Sequence, residues 1–401
     1  MRVSSTGGPS TPAGGLWLAV GQRHRSGVRT LAGVSSACAT RKRRLTARTV
    51  LLIHLMRRQD EQTLAHDRDA AWMIAPDSFK GTYSASEVAH AIARGIAGGE
   101  DHGATILDVC PVADGGEGTL EILLDALGGR TIHRPAHDPL GRPLTAALGM
   151  LEAGALAIVE AASASGLSLL APEERDAELA STLGTGELIA AAVAAGAEHV
   201  VIAAGGSATT DGGAGAIAAI EQAGGLRGTK LTVLADVTTP FELAAEVFAP
   251  QKGADADAVR RLTARLHDHA LALPRDPRGV PMTGAAGGLA GGLWARYDAS
   301  LTPGAAWVLD TIDFDRRLRR AHALVTGEGR LDEQTLAGKA IGEIAARCAQ
   351  EGVELHAIVG SSALDAEQCA SLGLASVREA SDLSQLEAAG RALARSAGSR
   401  V

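Results

Sequence analysis

Aromatic side chains are scarce: four Trp, two Tyr and four Phe make up 2% of 401 residues. Any core must therefore be built from aliphatic side chains and alanine, which an apolar content of 46% can supply. Cysteine is equally sparse. Cys38, Cys110, Cys348 and Cys369 show no CxxC spacing, which argues against a zinc ribbon and a disulfide framework and points to a reduced, cytoplasmic compartment. Long apolar runs are missing too. Leu16–Val20 is too short for a signal core, and Thr49–Met56 carries His54 and falls far below a membrane span. The phosphate motif GxxxxGK[ST] does not occur, nor do His-Arg-Asp and Asp-Phe-Gly, and Gly184-Thr185-Gly186 does not complete GxGxxG. P-loop, protein-kinase-fold and nicotinamide-dependent classes are accordingly disfavoured.

Charge is unevenly spread. The net charge of −8 combines twelve Lys+Arg against four Asp+Glu up to Trp72 with 26 against 42 thereafter. An acidic body argues against nucleic acid as the main partner. The basic run Arg41-Lys42-Arg43-Arg44 is short and unpatterned, so residues 1–70 are expected to be a disordered extension or the product of an early start site, outside the fold.

From residue 71 the chain alternates. Ala71–Ala75 reads as a strand ended by Pro76. Ser84 and Glu87 stand in capping-box spacing before a helix with Val88, Ala91, Ile92 and Ile96 on one face. Thr105–Val112 is the next expected strand, and Leu120, Leu123, Leu124 and Leu127 mark the next helix. Such alternation is the signature of a parallel sheet with right-handed crossovers. Between Thr131 and Glu160 the pattern changes to short strands around the dense turn Asp138–Pro143, more like antiparallel ribbons. Helices are expected over Glu187–Ala195, Ala214–Gln222, Arg260–Leu273 and Gln334–Glu351, and strands over Val200–Ala204, Lys230–Asp236, Ala323–Thr326 and Leu355–Val359. The expected architecture is α/β. A discontinuous parallel-sheet domain (71–129 plus 318–401) receives a second α/β domain (130–317) as an insert.

Three glycine-and-acid clusters follow expected strands: Pro76–Gly81 with Asp77, Ala113–Gly118 with Asp114, and Gly327–Asp332 with Glu328. If their strands share one parallel sheet, all three loops open on its carboxyl edge, where ligands collect. A single loop of this kind is equally an ordinary connection whose acid caps a helix; three together favour a site. Aspartates would repel a phosphate unless a divalent cation sits between them, so metal-assisted handling of a phosphorylated ligand is the chemistry suggested. Lys80 could neutralise a carboxylate or phosphate, and Arg330 could clamp one with both arms, although either could be a solvated surface cation. The fourth loop, Gly205–Gly213, holds Gly205, Gly206, Ser207, Thr209, Thr210, Asp211, Gly212 and Gly213, and could form an anion nest. Thr185 is a plainer case and could merely cap the helix after it.

These motifs, with Phe248–Ala254 around Lys252 and Gly284–Leu289, resemble in order and content the bacterial type I glycerate kinases, from Met73 to the C-terminus. The chain differs from many members in having Ala235-Asp236-Val237-Thr238-Thr239-Pro240 where Cys-Asp-Val and then Asn-Pro are usual, and Thr for Asn in the Asp211 loop. The resemblance implies a two-domain glycerate kinase fold whose discontinuous domain is flavodoxin-like, and phosphorylation of D-glycerate by ATP with Mg²⁺ to 2-phosphoglycerate. On that basis Asp77, Lys80, Asp114 and Asp211 are the expected catalytic residues, and Ser78, Gly115, Gly116, Glu117 and Arg330 the expected substrate contacts. Gly205, Gly206, Ser207, Thr209, Gly212, Gly213, Thr185, Lys252 and Glu328 would bind the nucleotide, and Asp114, Asp211 and Asp236 the metal. The partners expected are D-glycerate and ATP, without nucleic acid or membrane, and a homodimer is compatible with them. Open alternatives are a kinase for a related hydroxy acid or for the 3-hydroxyl, and a non-catalytic sugar-acid sensor.

Overall fold

Short apolar strands, each closed by a glycine- or acid-bearing loop, assemble into two sheets in the computed structural model, which describes residues 71–98, 106–151, 155–332, 335 and 339–398. The basic N-terminal stretch lies outside the described residues. In chain order the strands are β1 (Ala71–Pro76), β2 (Ile106–Val109), β3 (Gly129–His137), β4 (Pro143–Leu151), β5 (Leu156–Glu160), β6 (His199–Ala203), β7 (Lys230–Leu234), β8 (Ser300–Thr302), β9 (Ala323–Gly327), β10 (Glu354–Val359) and β11 (Leu374–Glu379).

The first sheet runs β11-β10-β9-β1-β2 with every neighbouring pair parallel. Counted along its own strands this is the doubly wound, flavodoxin-like order, and its direction of winding reverses between β1 and β9. The second sheet runs β3-β4-β5-β6-β7-β8. Its β3 and β4 pair antiparallel through the Asp138 turn, β4 meets β5 antiparallel, and β5 to β8 are parallel. The chain thus builds a discontinuous flavodoxin-like domain with a second α/β domain inserted in it.

The helices of eight or more residues are α1 (Ala85–Ala97), α2 (Thr119–Leu127), α3 (Leu183–Ala194), α4 (Ala214–Gln222), α5 (Ala256–Ala272), α6 (Leu289–Tyr297), α7 (Gly304–Thr311), α8 (Ala340–Glu351) and α9 (Leu383–Gly398). Strand alternation sends successive side chains to opposite faces. Trp72 and Ile74 of β1 join Val88 and Ile92 of α1 and Leu386 of α9. Met73 and Ala75 instead join Leu123 of α2, Val308 of α7 and Ile344 of α8, together with Ile158, Val201 and Leu234 from the second sheet. The far face of that sheet, with Val159 and Ile202, packs on Leu188, Ile220 and Leu293 of α3, α4 and α6. One aliphatic layer is therefore shared between the two sheets.

Local signals account for most element starts. Ser84 and Glu87 close a reciprocal capping box on α1. Helix α5 begins at Ala256, not Arg260, because the Asp255 carboxylate accepts the Ala258 N–H at 2.8 Å. Helix α3 begins at Leu183, four residues before the expected Glu187, so Thr185 lies inside its first turn and does not cap it. Helix α8 begins at Ala340, after an extended Lys339.

Candidate active site

Ladder bonds between β9, β1 and β2 continue past the strand ends and set three loops side by side. Asp77 N–H donates to the Gly327 carbonyl at 2.8 Å, Val112 N–H to Pro76 at 3.0 Å, and the Thr326 hydroxyl to Ala75 at 3.0 Å. The Asp77, Asp114 and Glu328 loops therefore occupy one carboxyl edge, at the point where the winding reverses. Gly329 lies against the backbone of Phe79 and Lys80.

A charge cluster results. Lys80 Nζ donates to Asp114 Oδ2 at 2.9 Å, while Asp114 Oδ1 accepts the Gly116 N–H at 3.0 Å. Asp77 is buried, and its Oδ1 accepts the Ser78 N–H at 2.6 Å. Burial, with the Asp114 charge, holds the Asp77 carboxyl well above the usual range, against the pull of Lys80 and the Ser78 amide. Burial raises Glu328 as well, although the Thr335 hydroxyl donates to its Oε1 at 2.6 Å and Lys339 and Lys80 oppose the shift. Desolvation works against the Lys80 ammonium, but Asp114, Asp77 and Glu328 outweigh it and its pKa is raised. Lys80 keeps 56% of its side chain open to solvent, so the cation can reach a ligand.

The second sheet adds to this cluster from the opposite side. Asp236, after β7, accepts the Gly304 and Ala305 N–H groups at 2.9 and 3.0 Å and so caps α7. Burial and Asp114 push its carboxyl up to about 7, offset in part by those amides and Lys80. The Gly205 loop after β6 touches the Asp114 loop directly: a Cβ on Gly205 would stand 2.7 Å from Gly116 Cα. Only glycines allow these two backbones to meet so closely.

Asp211 is committed elsewhere. Its Oδ2 accepts the Thr182 N–H and hydroxyl, both at 2.8 Å, and the Gly215 N–H at 3.1 Å; its Oδ1 accepts the Gly213 N–H at 3.0 Å. The carboxylate thus satisfies the amides at the start of α4 that the sequence offered to an anion. Gly206, Gly212 and Gly213 have left-handed φ values of 77°, 66° and 80°. Lys252 is buried, donating to Ser207 Oγ at 3.2 Å and the Thr209 carbonyl at 2.6 Å; burial lowers its pKa to about 7 against the nearby Asp211. The Thr185 hydroxyl is buried and donates to Ser165 Oγ at 2.7 Å. Arg330 stays exposed, 3.6 Å from Asp332 of its own loop.

One acid that the sequence reading passed over lies here. Glu160 ends β5, is buried, and its Oε1 accepts the Leu120 N–H at 2.8 Å. Burial raises it to about 7, with Glu117 adding and the Leu120 and Gly118 amides opposing. With Ser78, Lys80, Glu117 and Gly118 it lines a cavity of about 520 Å³. The available signal was an acid closing an apolar strand, the same grammar as the Asp77 loop.

Among the described residues no group of three or more His, Cys, Asp and Glu is arranged to hold a metal ion. Mg²⁺ rarely needs such a cage: one or two carboxylates with phosphate oxygens and water suffice. Asp114 and Asp236 meet across Gly304, whose N–H donates to Asp236 and whose added Cβ would stand 2.3 Å from the Asp114 carbonyl oxygen, and they fit that requirement. No helix among the described residues is long and apolar enough to cross a membrane.

Carboxylates and a lysine gathered at the switch point of a doubly wound sheet define an α/β protein built to bind a small charged ligand. Residues 72–223 and 220–397 match the model of the glycerate kinase family. The chain belongs to that family and is a kinase. It is 39% identical over 331 residues to a glycerate kinase of Bacillus subtilis (strain 168), covering 73% of this chain and 85% of the relative. It is 36% identical over 302 residues to glycerate 2-kinase of Escherichia coli (strain K12), covering 67% and 79%. A crystal structure from Salmonella typhimurium LT2, provisionally named glycerate kinase 2, superposes with a TM-score of 0.68 at 33% identity, over 83% of this chain and 100% of the other.

Proposed function

We infer that the protein transfers the terminal phosphoryl group of ATP to the 2-hydroxyl of D-glycerate, giving 2-phosphoglycerate, in the cytoplasm. The observation that carries this reading is the convergence of Asp77, Lys80, Asp114 and Glu328 at the sheet's switch point, with Asp236 facing them from the inserted domain. Kinship with a glycerate 2-kinase of Escherichia coli supports the choice of hydroxyl. The domains are taken as 71–129 with 318–401, and 130–317, so that the charged edge of one faces the glycine loop of the other.

Phosphoryl transfer needs positioning and charge neutralisation more than covalent help. Lys80 and Ser78 would hold the substrate carboxylate end, beside Gly115, Gly116 and Glu117. Asp77, at the same substrate end, would take the hydroxyl proton. Asp114 and Asp236 would hold Mg²⁺, which when bound neutralises phosphate charge. The Gly205–Gly213 loop would receive the nucleotide, with Lys252 bracing its backbone from inside and Asp211 fixing its far end.

The test is turnover of purified protein with ATP, Mg²⁺ and D-glycerate, read as ADP release, with the product identified by ³¹P NMR. A 2-phospho product is expected. A 3-phospho product would overturn the choice of hydroxyl, and absence of ADP release would overturn the reading as a whole.

A further inference from the structure

We propose that Glu160 is a positioning residue for the reaction: from the inserted domain it fixes the first turn of α2, and with it the loop that presents Asp114. The inference rests on the kinase reading above and adds a residue to it.

Three observations combine. Helix α2 has no side-chain cap of its own. Its N-cap residue is Gly118 at φ 95°, a left-handed conformation that suits glycine, which has no side chain to offer the first-turn amides. One orphan amide of the first turn is instead met by the end of β5, where Glu160 Oε1 accepts the Leu120 N–H at 2.8 Å. The backbone of Glu160 is itself fixed, because the end of β5 is in register with β6, Glu160 opposite Ala203.

The loop between Asp114 and α2 is therefore pinned at both ends. Lys80 holds the Asp114 end at 2.9 Å within the discontinuous domain, and Glu160 holds the Leu120 end from the inserted domain. Glu160 and Lys80 line the same cavity, so a shift in one end would alter what the other presents to a ligand. A buried carboxylate is an expensive cap to retain. Its use here is explained by what it joins: the acid-bearing loop of one domain and the strand edge of the other.

The experiment compares Glu160→Gln and Glu160→Ala in the full chain, with ATP, Mg²⁺ and D-glycerate. The Gln amide oxygen still accepts the Leu120 N–H, so Glu160→Gln is expected to keep kcat within about twofold. Glu160→Ala removes the acceptor, and kcat per folded molecule is expected to fall about ten- to a hundredfold, with KM changed far less. If the Ala variant does not accumulate folded, Glu160→Asp, one methylene too short to reach, replaces it with the same expectation. Equal loss in Gln and Ala would overturn the proposal by making Glu160 an acid or base that acts on the substrate. Unchanged kcat in Ala, with only a lower melting temperature, would overturn it by making the cap purely structural. Inactive wild-type protein would count against the kinase reading itself, so the two failures are distinguishable.

Discussion

Asp114 combines two duties in one side chain: Oδ1 receives the Gly116 amide and shapes its own loop, while Oδ2 receives Lys80. Asn at 114 would keep the first bond and lose the charge that balances Lys80 and would attract Mg²⁺. Asp114→Asn is therefore expected to lower kcat by about a hundredfold or more while moving the unfolding midpoint little. Unaltered turnover would remove Asp114 from the site. Glu160 supplies a pH signature. Its folded pKa of about 7 lies above the ordinary 4.5, so between these values the native state holds a proton that the unfolded chain releases. The contribution is fully present below about 4.5 and is lost as pH rises through 7. Relative to Glu160→Gln, wild-type stability should decline by on the order of 3 kcal/mol across that window. Urea titrations at several pH values read this directly, and parallel curves for the two proteins would contradict it.

At the scale of elements, glycines decide how closely segments pack. Helices α1 and α9 cross where a Cβ on Gly95 would stand 2.0 Å from the Glu387 carbonyl oxygen. Gly95→Ala gains about 1 kcal/mol of helix propensity. The displaced backbone should outweigh it, for a net loss of about 1–2 kcal/mol in urea unfolding. A stabilised variant would mean that the crossing relaxes freely. The capping box at Ser84 and the 3.6-residue spacing of Val88, Ile92 and Ile96 made α1 legible in the sequence. Helix α3 starts earlier than its sequence pattern predicts, since its N-cap residue Thr182 is fixed by Asp211, twenty-nine positions away. The Glu160–Leu120 bond was invisible for the same reason: forty residues and a change of sheet separate the partners.

For the whole molecule, the shared aliphatic layer has a thermodynamic consequence. Met73, Leu123, Ile158, Val201 and Leu234 belong to one buried cluster although they come from both sheets. Neither domain can open fully without exposing that layer. Calorimetry should accordingly show a single transition with calorimetric and van't Hoff enthalpies in agreement; two resolved peaks would show that the domains melt independently.

The order of apolar strands, helices and acid-bearing glycine loops was set by the sequence alone, because periodicity, caps and turn residues act over a few neighbouring positions. That was sufficient for the α/β class, for the discontinuous parallel sheet, and for the family resemblance. The tertiary structure decided which acids meet. It set Asp236 against Asp114, tied Asp211 to Thr182 and the start of α4, and left Arg330 exposed beside Asp332. It also brought Glu160 to the first turn of α2. The physical reason is that pairing between charges depends on distance through space and on burial, and both are fixed only once the two sheets close on their common layer.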